Sequence, residues 1–201
     1  MADQLAFRFD ALVPPKQDPL RYLAVARQVL EAYDAAIRSG NTDEAERQAG
    51  HLRNLAIDLN GGTSRGMAVD NGGLVQLDRA LRATDTLPMW GQSGMFTVVL
   101  QAGCLVRVEY AGLTRGTAHH CFGAHVVEVD KPFLSETGYR HFVPFDADFP
   151  PPPGSVVPLW CTQVMEAYVQ SADKASRKKS GLVPLLPEYQ ARRKQELADL
   201  S

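Results

Sequence analysis

The stretch Met95-Phe-Thr-Val-Val-Leu-Gln-Ala-Gly-Cys-Leu-Val-Arg-Val-Glu-Tyr110 decides the fold class of this chain. Apolar side chains recur at every second position on both sides of Ala102-Gly103, which is the period of a β-strand that buries one face. The Ala-Gly pair between the two runs is typical of a turn. The stretch therefore predicts a β-hairpin, and the other elements are assigned outward from it.

A third strand is predicted C-terminal to the hairpin, over about residues 124 to 130. Lys131-Pro132 ends this strand, because proline cannot donate to a central hydrogen-bond ladder. Residues 133–149 are predicted to be rich in loops. The prolines at 150–153, followed by Gly154, form a stiff extended spacer that marks a boundary.

Two helices with a short connection are predicted at the N-terminal side. Asp18-Pro19 signals the start of the first, because an aspartate oxygen caps free amides and proline at the first helical position sacrifices no hydrogen bond. Gly40 ends it. Asn41 followed by Glu44 resembles a capping box and opens the second helix, which ends at residue 60. The pair predicts an antiparallel helical hairpin.

Further helices are predicted on both sides of the strands. The glycine-rich residues 60–73 read as a flexible connector, and a third helix follows over about residues 74–83. Beyond the proline spacer, helices are predicted over residues 156–169 and 187–200.

Helices followed by strands are the order of an α+β protein, and they lack the alternation that builds a parallel sheet. We therefore predict an α+β fold, in which an N-terminal helical hairpin and a third helix pack on a small, mainly antiparallel sheet, with helices at the C-terminal side. The predicted regions are helical (1–84), β (89–149) and helical (154–201), joined in one compact domain.

Composition limits the functional classes. The chain has 201 residues, 45% of them hydrophobic and 22% charged, with a formal charge of −2, so it lacks the basic excess typical of phosphate-backbone binding. Its three cysteines have no Cys-x-x-Cys spacing, which disfavours a disulfide framework and a closed zinc site. The first ten residues resemble neither a signal peptide nor a membrane anchor. We expect a cytoplasmic protein that does not bind membranes.

Four of the five histidines lie between Thr117 and Phe142. Adjacent residues of a strand point to opposite faces, so a shared metal ion would need a bend at Phe122-Gly123. The simpler reading is a set of partly exposed histidines in turns or at a strand edge, and we predict no metal and no other cofactor. The candidate metal ligands are His119, His120, Cys121 and His125.

Proton transfer is a second reading of the same segment. Imidazole titrates near neutral pH, so His125 or His141 could act as an acid or base, and Glu136 or Glu128 could orient it. No further residue completes a catalytic pattern around them.

Ser135-Glu-Thr-Gly-Tyr-Arg140 is the most distinctive short run. Gly138 can take a positive φ in a turn, and Arg140 offers a planar fork to a carboxylate or phosphate. In the structural alternative, Glu136 and Arg140 pair with each other or with nearby charges and brace the loop. The candidate binding residues are Ser135, Glu136, Tyr139 and Arg140.

The C-terminal part is locally basic, and its candidate nucleic-acid contacts are Lys178, Lys179, Arg192 and Arg193. A solvated helix face is the ordinary role of such a run. The lack of interleaved aromatic residues disfavours binding to single-stranded nucleic acid, whose bases stack on such side chains.

Trp90-Gly-Gln-Ser-Gly94 before the hairpin and Pro132-Phe-Leu-Ser-Glu-Thr-Gly-Tyr-Arg140 after the third strand resemble uncharacterised accessory proteins of bacterial conjugative plasmids and mobile elements. The resemblance covers residues 89–142, and His141 stands where other members have serine. It implies a bacterial accessory protein that interferes with a host or rival system. It assigns no catalytic residue.

Three functions follow as hypotheses. The first is a non-catalytic binding protein. It recognises another macromolecule through the Ser135–Arg140 loop and adjoining aromatic residues, and that macromolecule is expected to be a protein. The second is a hydrolase or transferase acting on a phosphate-bearing substrate, with a histidine as acid or base and Arg140 as anion anchor. The third is a nucleic-acid-binding protein that uses the C-terminal basic residues.

Overall fold

The computed structural model describes residues 19–112, 120–143, 151–176 and 181–198. The elements in these ranges confirm the α+β fold. In chain order they are α1 (Pro19–Ser39), α2 (Thr42–Leu59), α3 (Gly73–Leu81), β1 (Gly94–Val99), β2 (Leu105–Tyr110), β3 (Phe122–Val126), β4 (Tyr139–Phe142), α4 (Val157–Ser176) and α5 (Pro187–Ala198). None of the described helices is both long and apolar enough to cross a lipid bilayer.

The helical hairpin α1–α2 is confirmed, and Gly40 follows the last residue of α1 with a positive φ of 74°. Asp18, the predicted cap of α1, lies outside the described residues. The Glu44 amide donates to the Asn41 side chain over 3.1 Å, so Asn41 caps α2. The N-terminal half of α1 buries its apolar side chains against α2 and α3, in a cluster that includes Leu30, Leu55 and Leu77. This cluster lies apart from the core under the sheet.

The four strands form an antiparallel meander in the order β1-β2-β3-β4. One side, here called the inner face, is buried against α4 and the C-terminal half of α1. Strand residues on the inner face include Phe96, Val106, Val108, Tyr110, Phe122, Ala124, Val126 and Phe142. The opposite side, the outer face, is partly open to solvent because every second residue of an antiparallel sheet points away from the core.

The strand boundaries differ from the prediction in the C-terminal half of the sheet. The third strand lies at residues 122–126 instead of 124–130, and β4 falls in the segment predicted as loop. Residues 128–131 turn, with the Lys131 amide donating to the Glu128 carbonyl. β4 is only four residues long and half of its residues are polar, so its sequence has no strand pattern of its own. It is a strand because it pairs with β3.

The connector between α2 and α3 is a hydrogen-bonded turn, in contrast to the flexible segment predicted. The Asn60 amide group donates to the Thr63 and Arg65 carbonyls, and its oxygen accepts from the Gly73 amide. Met67 is buried among the side chains of the helices. One asparagine thus fixes both ends of the glycine-rich segment.

Candidate functional site

The Ser135–Arg140 run forms a tight turn before β4. The Ser135 hydroxyl accepts from the Thr137 amide and lies 2.8 Å from the Thr137 hydroxyl, which donates to the Tyr139 carbonyl. Gly138 has a φ of +71° and is buried against Val126. The residues of the turn therefore have a defined backbone before any partner arrives.

Contacts with the C-terminal part brace this turn. The Leu186 amide donates to the Glu136 carbonyl, and a Cβ on Gly138 would lie 3.1 Å from the Leu185 side chain. Among the described residues, neither the Glu136 nor the Arg140 side chain forms an ion pair, so the predicted charge bracing is replaced by backbone hydrogen bonds and packing. The Glu136 side chain remains exposed.

Arg140 and Tyr139 point to opposite sides of β4. The Arg140 guanidinium lies 3.8 Å from the centre of the Tyr168 ring on α4, a cation–π contact that ties β4 to the helix. Tyr139 belongs to the outer face and is 41% exposed. The turn therefore presents Glu136 and Tyr139 to solvent, while Arg140 is half-buried against α4.

The Tyr139 ring is seated on the outer face by two neighbours on β3. Its centre is 4.8 Å from that of His125, its partner in the strand register. A Cβ on Gly123 would come within 2.9 Å of the Tyr139 ring, so the absence of a side chain there lets the ring lie across the strand. The exposed His141, opposite Gly123, extends the same surface. We call Glu136, Tyr139, His141 and the adjoining part of β3 the turn surface.

The three candidate acid–base residues form no hydrogen bond or ion pair with one another in the described part of the chain. His125 and His141 are diagonal neighbours on the outer face, with the Tyr139 ring packed against His125. His125 Nε2 is 3.7 Å from a Glu109 carboxylate oxygen, and its Nδ1 is buried without a hydrogen-bond partner. Glu136 lies in the turn, where its backbone carbonyl accepts a hydrogen bond from the Leu186 amide. Glu109 takes the orienting position predicted for Glu136 or Glu128.

Lowering the pH is expected to destabilise the fold through His125. Burial lowers the pKa of His125 below its ordinary value; Arg107 and Arg193 lower it further, and Glu109 opposes them. Between the lowered pKa and about pH 6.5 the unfolded chain binds more protons, so stability is present above that range and is lost as pH falls through it.

Urea titrations at about pH 7.5 and about pH 5.5 measure this effect. We expect a lower free energy of unfolding at the acidic pH, and a smaller difference in His125→Gln. In His125→Gln some difference between the free energies of unfolding at the two pH values should persist, because burial also lowers the pKa of His51. An unchanged pH dependence in His125→Gln would contradict the assignment.

His120 is buried, which makes the prediction of a partly exposed turn histidine wrong for this residue. Only 3% of His120 is exposed, its Nε2 is 2.7 Å from the Tyr33 hydroxyl, and its Nδ1 is hydrogen-bonded to the Tyr110 hydroxyl. The indoles of Trp90 and Trp160 meet the imidazole ring edge-on. Since both ring nitrogens are engaged by tyrosines, His120 joins α1 to β2 in the core and has no nitrogen left for a metal ion.

The other candidate ligands are also separated. Cys121 is buried, His125 faces the outer side of the sheet, and His119 lies outside the described residues. Within residues 19–112, 120–143, 151–176 and 181–198, no three histidine, cysteine, aspartate or glutamate side chains are grouped to hold a metal ion.

The basic residues of α5 are paired with acidic neighbours. Arg192 and Arg193 both contact the Glu196 carboxylate, and Lys194 lies 2.8 Å from the Asp130 carboxylate. Lys178 and Lys179 fall outside the described ranges. The two described arginines of the predicted nucleic-acid set thus share one carboxylate on the same helix.

The described residues define an α+β protein whose antiparallel meander buries one face on helices and leaves the other partly open, beside a braced polar turn. The chain is similar to two curated proteins of Escherichia coli, each called Protein KlcB. One is 36% identical over 136 residues, which cover 66% of this chain and 33% of the relative; the other is 40% identical over 131 residues, which cover 62% and 27%. The chain therefore spans about a third of the length of these relatives. No family model and no solved structure matches the chain.

Proposed function

We propose that this chain is a non-catalytic binding protein of a bacterial mobile element, which recognises another protein through the turn surface. The braced Ser135–Arg140 turn carries the proposal, because it holds Glu136 and Tyr139 exposed on a backbone that its own hydrogen bonds have already ordered. A preformed surface loses little conformational entropy on binding. Exposed tyrosines are enriched among the residues that dominate protein interfaces.

The setting in a mobile element is supported by the resemblance of residues 89–142 and by the similarity to Protein KlcB. Interference with a host or rival system is the role that the resemblance implies, and recognition of a protein component of that system is the simplest way to perform it. Among the described residues the Glu136 carboxylate pairs with neither His125 nor His141, and the Tyr139 ring packs against His125, which favours binding over acid–base catalysis.

Affinity capture from bacterial lysate with matched variants tests the proposal. We expect the wild-type protein to retain a specific protein that survives nuclease treatment, and Tyr139→Ala to weaken its binding about tenfold or more, since the loss of an interface tyrosine costs about 2 kcal/mol. Leu87→Ala is the matched control, because Leu87 is also an exposed large apolar residue but lies between α3 and β1. Calorimetry with the purified partner gives the dissociation constants.

Gly123→Ala provides a second variant that acts on Tyr139 without removing it. The new Cβ would displace the end of the Tyr139 ring while leaving the backbone in place, so the free energy of unfolding should change by less than about 1 kcal/mol. Weakened capture by both variants supports the turn surface. Two outcomes would overturn the proposed function. One is equal capture of the partner by wild type and Tyr139→Ala; the other is capture of nucleic acid, released when the salt concentration is raised, in place of a protein.

A further inference from the structure

A row of four side chains crosses the outer face of the sheet, with one residue from each strand. The register places Thr97 of β1, Arg107 of β2, His125 of β3 and Tyr139 of β4 beside one another in that order. Arg107 and Tyr139 are therefore two strand spacings apart, which is roughly 10 Å. The row connects the turn surface, at β4, to the middle of the sheet.

Arg107 is a half-buried cation that has no carboxylate partner. Within the described ranges its guanidinium forms no ion pair and no side-chain hydrogen bond. Burial lowers the pKa of His125 most, and the charge of Arg107 is the next cause, so this charge acts on the centre of the row. A cation that is partly withdrawn from water and unpaired gains strongly from an anionic group that pairs with it.

Exposed apolar side chains flank Arg107 on both sides. Met95 on β1 is 59% exposed and lies diagonally opposite Arg107, because its own register partner is Glu109. Tyr139 on β4 is 41% exposed. A partner that covers these two side chains also excludes water from the guanidinium between them, and exclusion of water strengthens a charge pair.

We infer that the outer face takes an acidic residue of the partner protein. An aspartate or glutamate carboxylate of an extended segment pairs with Arg107, and an apolar residue of the same segment packs on Tyr139. The inference rests on the proposed function, because it specifies the chemistry of the protein that the turn surface recognises. Arg107 thus takes the anchoring part that the sequence suggested for Arg140, whose guanidinium is stacked on Tyr168 instead.

Charge complementarity identifies this occupant. The planar fork of an arginine binds a carboxylate through two parallel hydrogen bonds, and Arg107 has no such group in the described part of its own chain. In an extended segment, roughly 10 Å corresponds to about three residues. The acidic residue of the partner should therefore lie about three positions from an aromatic or aliphatic one.

Selection from a phage-displayed library of random peptides on the immobilised full chain tests the inference. We expect wild type to enrich peptides with an acidic residue about three positions from an apolar one. A synthetic peptide of the enriched sequence then serves as the probe. Arg107→Gln in the protein, or the amide in place of the acidic residue in the peptide, should each weaken binding about tenfold or more. Both changes together should cost little more than either alone.

Charge reversal gives a readout that a loss of folding cannot imitate. Arg107→Glu should switch the selection from acidic to basic peptides, because a carboxylate repels the first and attracts the second. Arg53→Glu is the matched control, since it makes the same charge change at an exposed position of α2 and should keep the preference for acidic peptides. Urea unfolding checks that both variants are folded.

The outcomes separate this inference from the proposed function. The inference would be overturned if wild type selected no peptides, or peptides without an acidic residue, or if Arg107→Glu kept the acidic preference. In each case the proposed function would still stand, provided that Tyr139→Ala weakens capture of the partner from lysate. Capture that is independent of Tyr139 would remove both.

Discussion

Replacing His120 by alanine is expected to lower the free energy of unfolding by about 3 to 5 kcal/mol. The imidazole fills a buried space between Trp90 and Trp160, and each ring nitrogen is bonded to a tyrosine hydroxyl. Removal of the imidazole leaves a cavity, and the buried hydroxyls of Tyr33 and Tyr110 lose their hydrogen bonds to it. Urea unfolding followed by tryptophan fluorescence measures the loss, since both indoles adjoin the site.

Single substitutions of the tyrosines separate the cost of the lost hydrogen bonds from the cost of the cavity. Tyr33→Phe and Tyr110→Phe each remove one hydroxyl without a cavity and should cost about 1 to 2 kcal/mol. In a double-mutant cycle, the effect of Tyr33→Phe should shrink when His120 is already alanine. His51→Ala is the control on a half-buried histidine of α2, with an expected change within about 0.5 kcal/mol. If His120→Ala were no more destabilising than His51→Ala, the structural role assigned to His120 would be wrong.

Gly73→Ala is expected to lower the free energy of unfolding by about 3 kcal/mol, although alanine favours helix more than glycine does. At the start of α3, a Cβ on Gly73 would lie well inside van der Waals contact with the Ala56 carbonyl oxygen on α2. Both partners belong to the packed backbone, so the helices must move apart and disturb the cluster around Leu55 and Leu77.

Gly50→Ala is the matched control for that substitution. Gly50 lies within α2, and a Cβ there would meet nothing within 4 Å. Alanine at this position should therefore stabilise the protein by about 0.5 to 1 kcal/mol. Thermal and urea unfolding of both variants give the comparison. Equal stability of Gly73→Ala and Gly50→Ala would show that α2 and α3 are not in close contact.

Short-range sequence patterns correctly predicted the β1–β2 hairpin and the start of α2. The alternating residues 95–110 predicted the hairpin, and the Asn41 cap predicted the start of α2. Such signals depend on residues a few positions apart, so they can be read without the fold. β4 lacked a signal of this kind: only four residues long, it becomes a strand because Phe142 pairs with Phe122 and Tyr139 with His125.

The candidate binding site stays a prediction, but the structure shows where its residues lie. The sequence indicated the Ser135–Arg140 turn and singled out Arg140 as its anchor for a ligand, and only the contact with Tyr168 shows that Arg140 packs on α4. Glu109 was missed because its neighbour His125 is 16 residues away in the chain and adjacent only across the β2–β3 ladder. The period-two pattern could have placed Glu109 on the outer face, but not beside a particular histidine.

The sequence by itself determined the α+β class, the helical hairpin and the strand hairpin, because hydrophobic period, capping and turn chemistry act over one or two turns of chain. Only the tertiary structure decided that His120 is enclosed by tyrosines and tryptophans and that the Tyr139 ring lies across Gly123. These features depend on residues far apart in the chain. Their positions are set by how α1, α4 and the four strands pack together, and no short stretch of sequence encodes that packing.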